Sequence, residues 1–458
     1  MTRTLWGGGE RLSEQVCAFT VGDDRVWDAP LLEWDLLGTL GHLVALENGG
    51  LVGRRDAGRL RSAIRRLLAD ARRGAFAIGE DDEDVHTAVE HALVARLGAV
   101  GETIHLGRSR NDQVAVDLRL YLKDALLSLG TSLLDVADAL AEFARRHRCV
   151  LLPGYTHQRR AMPSTLGLWA AGYAELLLDD LGPLSAALDL IDRSPLGSAA
   201  GFGVPLPLDR AAAARALGFA GVQRNVTAVA ASRGKFEVVA LAAAWGVAHD
   251  LGKLAWDVIL FTSEEFGFLL LPAELATGSS IMPNKRNPDV CELTRGRAAL
   301  FDGYLAQAVP LAGKLPGGYH RDLQLTKGTV MRGLDAVAEM AAMMAAAIPQ
   351  LGVDRERCTA ALSPELFATD EALRRARGGA PFRAAYREVA AKLESGAPPP
   401  ALGLDAVLVS RTALGNPGNL GLAELRREIG RCRRALAGRR RRFARALAAL
   451  AGVPRKEN

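Results

Sequence analysis

VAVDLRLYLKDALLSLGTSLLDVADALAEFARR, residues 114–146, carries apolar side chains at Val114, Leu118, Leu122, Ala125, Leu129, Leu133, Val136, Leu140 and Phe143. The steps are of three or four residues, so one helical face stays apolar for about nine turns. Comparable periodic segments are expected over 165–192, with Gly182 and Pro183 as a kink, and over 227–262, 288–309 and 326–347. Five long helices in succession predict a bundle. Alternating β-branched runs are few and aromatic residues make up only 5% of the chain, so the expected class is all-α.

Outside this core the pattern changes twice. Residues 1–112 read as an N-terminal domain of shorter helices, 113–354 as the central five-helix bundle and 355–458 as a C-terminal helical domain. The last helix combines an apolar stripe (Leu422, Leu425, Ile429, Cys432, Leu436, Phe443, Leu447, Leu450) with the basic block Arg439 to Arg442. That block reads as a solvated or intersubunit face, with an acidic surface or nucleic acid as the alternative partner.

Composition narrows the class of function. With 458 residues, 49% hydrophobic and 24% charged, the chain can bury a large core and is not expected to be disordered. The net charge of +5, with no aromatic interleaving or zinc-ligand spacing, fits a small anionic substrate better than nucleic acid. Cys17, Cys149, Cys291, Cys358 and Cys432 are odd in number and scattered, the pattern of reduced thiols in a cytoplasm, and no metal site is expected. MTRTLWGGGERLSEQ does not read as a signal peptide, and the most apolar run, 238–248, is too short to span a bilayer and reads as a buried helix.

Polar, glycine and proline residues gather in the connections, and four of these carry chemistry. GSSIMPNKRNPD, 278–289, sets Ser279, Lys285 and Asn287 on a loop, with Asn287-Pro288-Asp289 read as N-cap, N1 proline and first-turn acid. A serine acts as a base only if its alkoxide is stabilised, and an ammonium and a helix N-terminus are the means at hand. Alternatively Lys285 stabilises an oxyanion on a substrate carboxylate; both readings point to proton abstraction beside a carboxylate. GRSRNDQ, 107–113, offers Ser109, Arg110, Asn111 and Gln113 at a helix start, suited to a carboxylate or simply to capping through Asp112. PGYTHQ, 153–158, places Thr156 and His157 in a polar turn, where the histidine is either structural or an acid–base group oriented by Glu292. GGYHRDLQLTK, 317–327, brings Tyr319, Arg321, Gln324 and Lys327 to another helix entry.

The 278–289 segment closely resembles the signature loop of the fumarase/aspartase superfamily. The other three loops narrow the likeness to the argininosuccinate lyase family, as do LWGG (5–8), EDVH (83–86), SPLG (194–197), ATD (368–370) and PFR (381–383). The resemblance covers essentially the whole chain. It implies a homotetramer with active sites built from three subunits, no cofactor, and elimination of fumarate from argininosuccinate to leave arginine. It also implies Ser279 as base, Lys285 as charge stabiliser and His157, oriented by Glu292, as acid. Thr156, Ser109, Asn111 and Asn287 would hold the fumarate carboxylates, and Tyr319, Gln324 and Lys327 the amino-acid portion, with Arg110 and Arg321 beside them.

Departures cluster around the leaving group. The family's Leu-Gln-Arg-Ala-Gln-Pro after the histidine is Gln158, Arg159, Arg160, Ala161, Met162 and Pro163 here, GGRF is Gly7, Gly8, Gly9, Glu10, and the third loop carries Leu323 and Leu325. The substrate-binding serine expected near Gly22 to Asp24 is missing. The departures leave open a paralogous lyase acting on another N-substituted aspartate, or a non-catalytic crystallin-like relative. Retained Ser279, Lys285 and His157 argue against the second.

Overall fold

In a computed structural model, the structure describes residues 13–453, so the LWGG segment and Gly7 to Glu10 lie outside the described residues. The N-terminal part comprises α1 (Glu14–Val21), α2 (Asp24–Asp28), α3 (Leu32–Asn48), α4 (Arg54–Arg72), α5 (Val85–Leu97) and α6 (Ala99–Glu102). The long helix α7 (Arg110–Arg146) follows, then the hairpin β1 (Leu151–Thr156) and β2 (Arg159–Thr165), then α8 (Leu166–Asp179) and α9 (Leu181–Ile191). Beyond a two-residue strand β3 (Arg193–Ser194) come α10 (Arg210–Ala216), β4 (Gly221–Val222), α11 (Val226–Ala231) and α12 (Lys235–Thr262). Three more short strands, β5 (Leu269–Leu270), β6 (Thr277–Gly278) and β7 (Arg286–Asn287), lead to α13 (Asp289–Gly313) and α14 (Thr326–Ala347). After β8 (Gly352–Val353) the chain ends in α15 (Arg355–Ala360), α16 (Ala368–Arg377), α17 (Phe382–Glu394), α18 (Leu404–Ser410) and α19 (Leu422–Ala451).

The expected all-α bundle is present. Helix α7 packs against α8 and α14, and α12 against α13, α14 and α9. One continuous core runs from Leu31 to Ala451, holding Leu122, Leu129, Leu133, Val136, Leu140 and Phe143 of α7. Burying such leucine-sized side chains stabilises the fold by about 1.5–3 kcal/mol each. The final helix lies back along α7, α3 and α10. Its basic block is partly used within the chain: Arg439 donates to Asp189 at 2.6 Å and Arg440 to Ser128 at 3.1 Å. A second, small cluster of Leu151, Leu366, Phe367 and Val407 ties the C-terminal helices to the foot of the hairpin.

Boundaries depart from the sequence reading where chain geometry overrides periodicity. The break in 165–192 falls at Asp180, before Gly182, because proline is tolerated in the first turn of the new helix α9. The segment 227–262 is two helices, separated where Gly234 adopts φ +80°. The polar turn expected at 153–158 is the end of an antiparallel hairpin. Helix α12 spans 28 residues and is apolar and long enough to cross a membrane by length and composition. The 238–248 run is thus part of a longer element than expected, but 56% of its most apolar window is buried, as in a core helix.

Candidate functional site

The 107–113 segment is a capping box. Ser109 caps α7, its Oγ accepting from the Asn111 amide at 3.3 Å, while Asp112 Oδ1 accepts from the Ser109 amide at 2.9 Å. The other Asp112 oxygen accepts from the amides of Gly197 and Ala199, both at 3.0 Å, tying the SPLG loop to the start of α7. Capping by Asp112 is therefore realised, and it leaves Arg110 and the Asn111 side chain for other work.

Arg110 forms a fork with Glu83, at 2.8 and 3.1 Å, and reaches Asp84 through Nε at 2.8 Å. Arg321, from the third loop, shares Glu83 at 3.1 Å and donates to the Thr20 carbonyl at 2.7 Å. Burial acts to raise the Glu83 pKa, but the two guanidiniums outweigh it and hold Glu83 below the usual carboxylate range. Three segments distant in sequence thus meet through one carboxylate.

Arg233 completes this corner and was missed. It sits in the break between α11 and α12, 7% exposed, donates to the Asn111 carbonyl at 3.1 Å and lies 5.4 Å from the centre of the Tyr319 ring. Its Nε and second terminal nitrogen are buried without a partner. A buried guanidinium with two unpartnered nitrogens has donors to offer an anion. Taking 227–262 as one helix hid it; reading Ser232-Arg233-Gly234 as a break would have exposed it.

Gln324 is buried beside this corner, and Lys327 is only 1% exposed. The Lys327 ammonium lies 2.9 Å from Asp24 and 2.6 Å from Asp28, so it faces carboxylates of the N-terminal segment. In the segment where a substrate-binding serine was expected, Asp24 is the residue that meets Lys327.

The elimination residues lie on exposed tips. His157 and Gln158 form the two-residue turn of the hairpin with φ of 52° and 58°, left-handed values at which asparagine and glycine are favoured. Such strain costs about 1–3 kcal/mol per residue and clusters at functional sites. Thr156 and His157 are both exposed. The 278–289 loop is clasped at its base by the pairs Thr277–Asn287 and Gly278–Arg286. This moves the helix start: Asn287 belongs to the strand, Pro288 takes the cap position and Asp289 accepts from the Thr277 hydroxyl. Inside the loop, the amides of Met282 and Ile281 donate to Ser279 Oγ at 3.1 and 3.4 Å. Two amide donors aimed at one hydroxyl favour its alkoxide. Lys285 and Glu292 are exposed, Glu292 in the first turn of α13. Among the described residues, no hydrogen bond or ion pair joins the hairpin tip, the 278–289 loop and the Glu83 corner.

One further group has donor atoms suited to a cation: Asp35, His86 and Asp117, buried, with atoms within 4.8 Å of one another. His86 Nδ1 lies 2.7 Å from Asp35. Burial, with Asp35 alongside, pushes Asp117 well above the usual carboxylate range, and both Asp117 oxygens are buried without a hydrogen-bond partner among the described residues.

Comparison with known proteins gives a consistent picture. A family model described as a lyase matches residues 43–301. An argininosuccinate lyase from Sorangium cellulosum is 46% identical over 431 residues, covering 94% of this chain and 99% of the relative. One from Thermotoga neapolitana is 40% identical over 392 residues, covering 86% and 98%. Among solved structures, an EDDS lyase in complex with formate superimposes with a TM-score of 0.80 at 22% identity, covering 97% and 95% of the two chains. A fumarate lyase from a Mesorhizobium species gives 0.67 at 19% identity, covering 97% and 99%; at these identities the likeness is one of fold.

Proposed function

The chain belongs to the argininosuccinate lyase family, and on that premise we propose that it cleaves argininosuccinate to fumarate and arginine in arginine biosynthesis. The observation that carries the reading is the pairing of two sets of residues on one chain. One is a serine hydroxyl held by two amides next to a lysine loop; the other is a cationic corner with unspent donors.

The chemistry follows from those groups. Ser279 as alkoxide takes the proton on the succinyl carbon beside a carboxylate, and the released electron pair moves into that carboxylate, where Lys285 balances the added charge. The pair then returns to form the new C=C bond as the C–N bond breaks. His157, oriented by Glu292, delivers a proton to the departing guanidine nitrogen. Ser109, Asn111, Thr156 and Asn287 hold the carboxylates that become fumarate, with Arg233 as a further cation for them. Tyr319, Gln324 and Lys327 face the amino-acid portion, and Arg110 and Arg321 fix that wall through Glu83.

We propose a cytoplasmic homotetramer, whose neighbouring subunits bring the tips and the corner together. Trp245 and Trp256 on α12, and Leu293, Leu300 and Val309 on α13, are 42–63% exposed, an apolar face that a second copy would cover. The three-part division at 112 and 354 is retained as a proposal. Fumarate release from argininosuccinate, followed by ultraviolet absorbance, tests the activity. Turnover is expected from the wild type; its absence from a folded oligomer, or growth failure of an arginine-requiring strain carrying this chain as its lyase, would overturn the assignment.

A further inference from the structure

Lys327 is the cation expected to meet the amino-acid end of the substrate, yet it already sits between two carboxylates. The two are not equivalent. Asp28 is the inner one, its side chain 2% exposed, and its other oxygen accepts from the Val85 amide at 3.4 Å. Asp24 is the outer one, 10% exposed, and Lys327 is its one ion-pair partner among the described residues. Burial keeps Asp24 above the usual carboxylate range although Lys327 and Arg321 act to lower it, and in the geometry two carboxylates share the one Lys327 ammonium.

The segment bearing Asp24 is docked on the site. Arg321 holds the Thr20 carbonyl at 2.7 Å, and the Trp27 ring lies so close to Gly328 that a Cβ there would come within 2.6 Å of it. A third carboxylate at Lys327 would add to an existing excess of negative charge, whereas an ammonium at the outer edge of Asp24 would relieve it. An α-amino acid carries such an ammonium.

Resting on the lyase reading above, we propose that Asp24 is a substrate-positioning residue that receives the α-ammonium of the leaving amino acid. The site thereby selects α-amino-acid leaving groups over amines or guanidines without that charge.

The test compares fumarate release from argininosuccinate and from its analogue with hydrogen in place of the α-ammonium, using intact wild-type and Asp24→Asn enzyme. The wild type is expected to prefer argininosuccinate by about tenfold or more in kcat/KM, the scale of one charge-assisted hydrogen bond. Asp24→Asn should shrink that ratio to within about threefold, mainly through KM for argininosuccinate. The ratio is taken on one preparation, so it does not depend on the fraction folded. Asp28→Asn serves as the contrast: it should lower the melting temperature and leave the ratio intact. A ratio unchanged by Asp24→Asn, or no preference in the wild type, overturns the inference. A wild type that releases no fumarate from argininosuccinate overturns the activity instead.

Discussion

Two regions of this molecule handle charge in opposite ways. In the corner where α2, the start of α7 and the 317–327 loop meet, Glu83, Asp84, Arg110, Lys327, Asp24 and Asp28 are interlocked and largely buried, with the exposed Arg321 joined to them through Glu83. At the hairpin tip and in the 278–289 loop, His157, Lys285 and Glu292 stand exposed, and order comes from the backbone: a left-handed turn and a two-residue strand clasp. The corner is built before any substrate arrives; on the tetramer proposed above, neighbouring copies would complete the site at the tips. Substitutions of the corner's ion pairs should therefore cost stability, beside any effect of Asp24 and Lys327 on substrate binding, whereas those at the tips should register as rate.

The largest separation is expected at the tips. Ser279→Ala should lower fumarate release by about a thousandfold or more, and His157→Asn by about a hundredfold or more, the usual range for an acid–base group. Asparagine accepts the left-handed backbone of position 157, so the turn survives while the proton donor is lost. Melting temperatures should stay within a degree or two of wild type, since exposed changes cost about 0.5 kcal/mol or less. A stability loss as large as the rate loss would remove the distinction.

In the corner the expected effect is thermodynamic. Lys327→Met strands Asp24 and Asp28 without their shared cation, and breaking a buried pair in this way costs about 3–5 kcal/mol. Denaturant unfolding should show it as a lower midpoint. A variant as stable as wild type would mean that the aspartates are readily rehydrated and that the segment is only loosely docked.

The same contrast explains what was legible in the sequence. The bundle was readable because leucines at three- and four-residue steps encode burial directly, and 326–347 matches α14 residue for residue. Capping at the start of α7 was readable through Asp112, whose partner lies three residues away, although the cap itself is Ser109. The hairpin was not: β1 and β2 hold two prolines, Pro153 and Pro163, paired opposite each other, and their turn is His-Gln in place of asparagine-glycine. Nor was the fate of Lys327, because Asp24 and Asp28 lie about three hundred residues away and only folding brings them together. Arg233 was hidden by helical periodicity running across Gly234.

The smallest expected effect is a pH dependence at Glu83. Its folded pKa is held below the ordinary value of 4.5 although burial alone would raise it. A carboxylate with a depressed folded pKa binds fewer protons folded than unfolded, so its stabilising contribution is present above about pH 4.5 and lost as the pH falls through the folded value. Glu83→Gln should therefore cost about 1 kcal/mol near pH 7, because Arg110 keeps Asp84 and Arg321 keeps Thr20, and the gap to wild type should close in acid. Melting curves of both proteins between pH 7 and pH 3.5 measure that gap. A difference that stays constant over this range would mean that Glu83 acts through packing, and that the corner's order does not depend on the charge shared between Arg110 and Arg321.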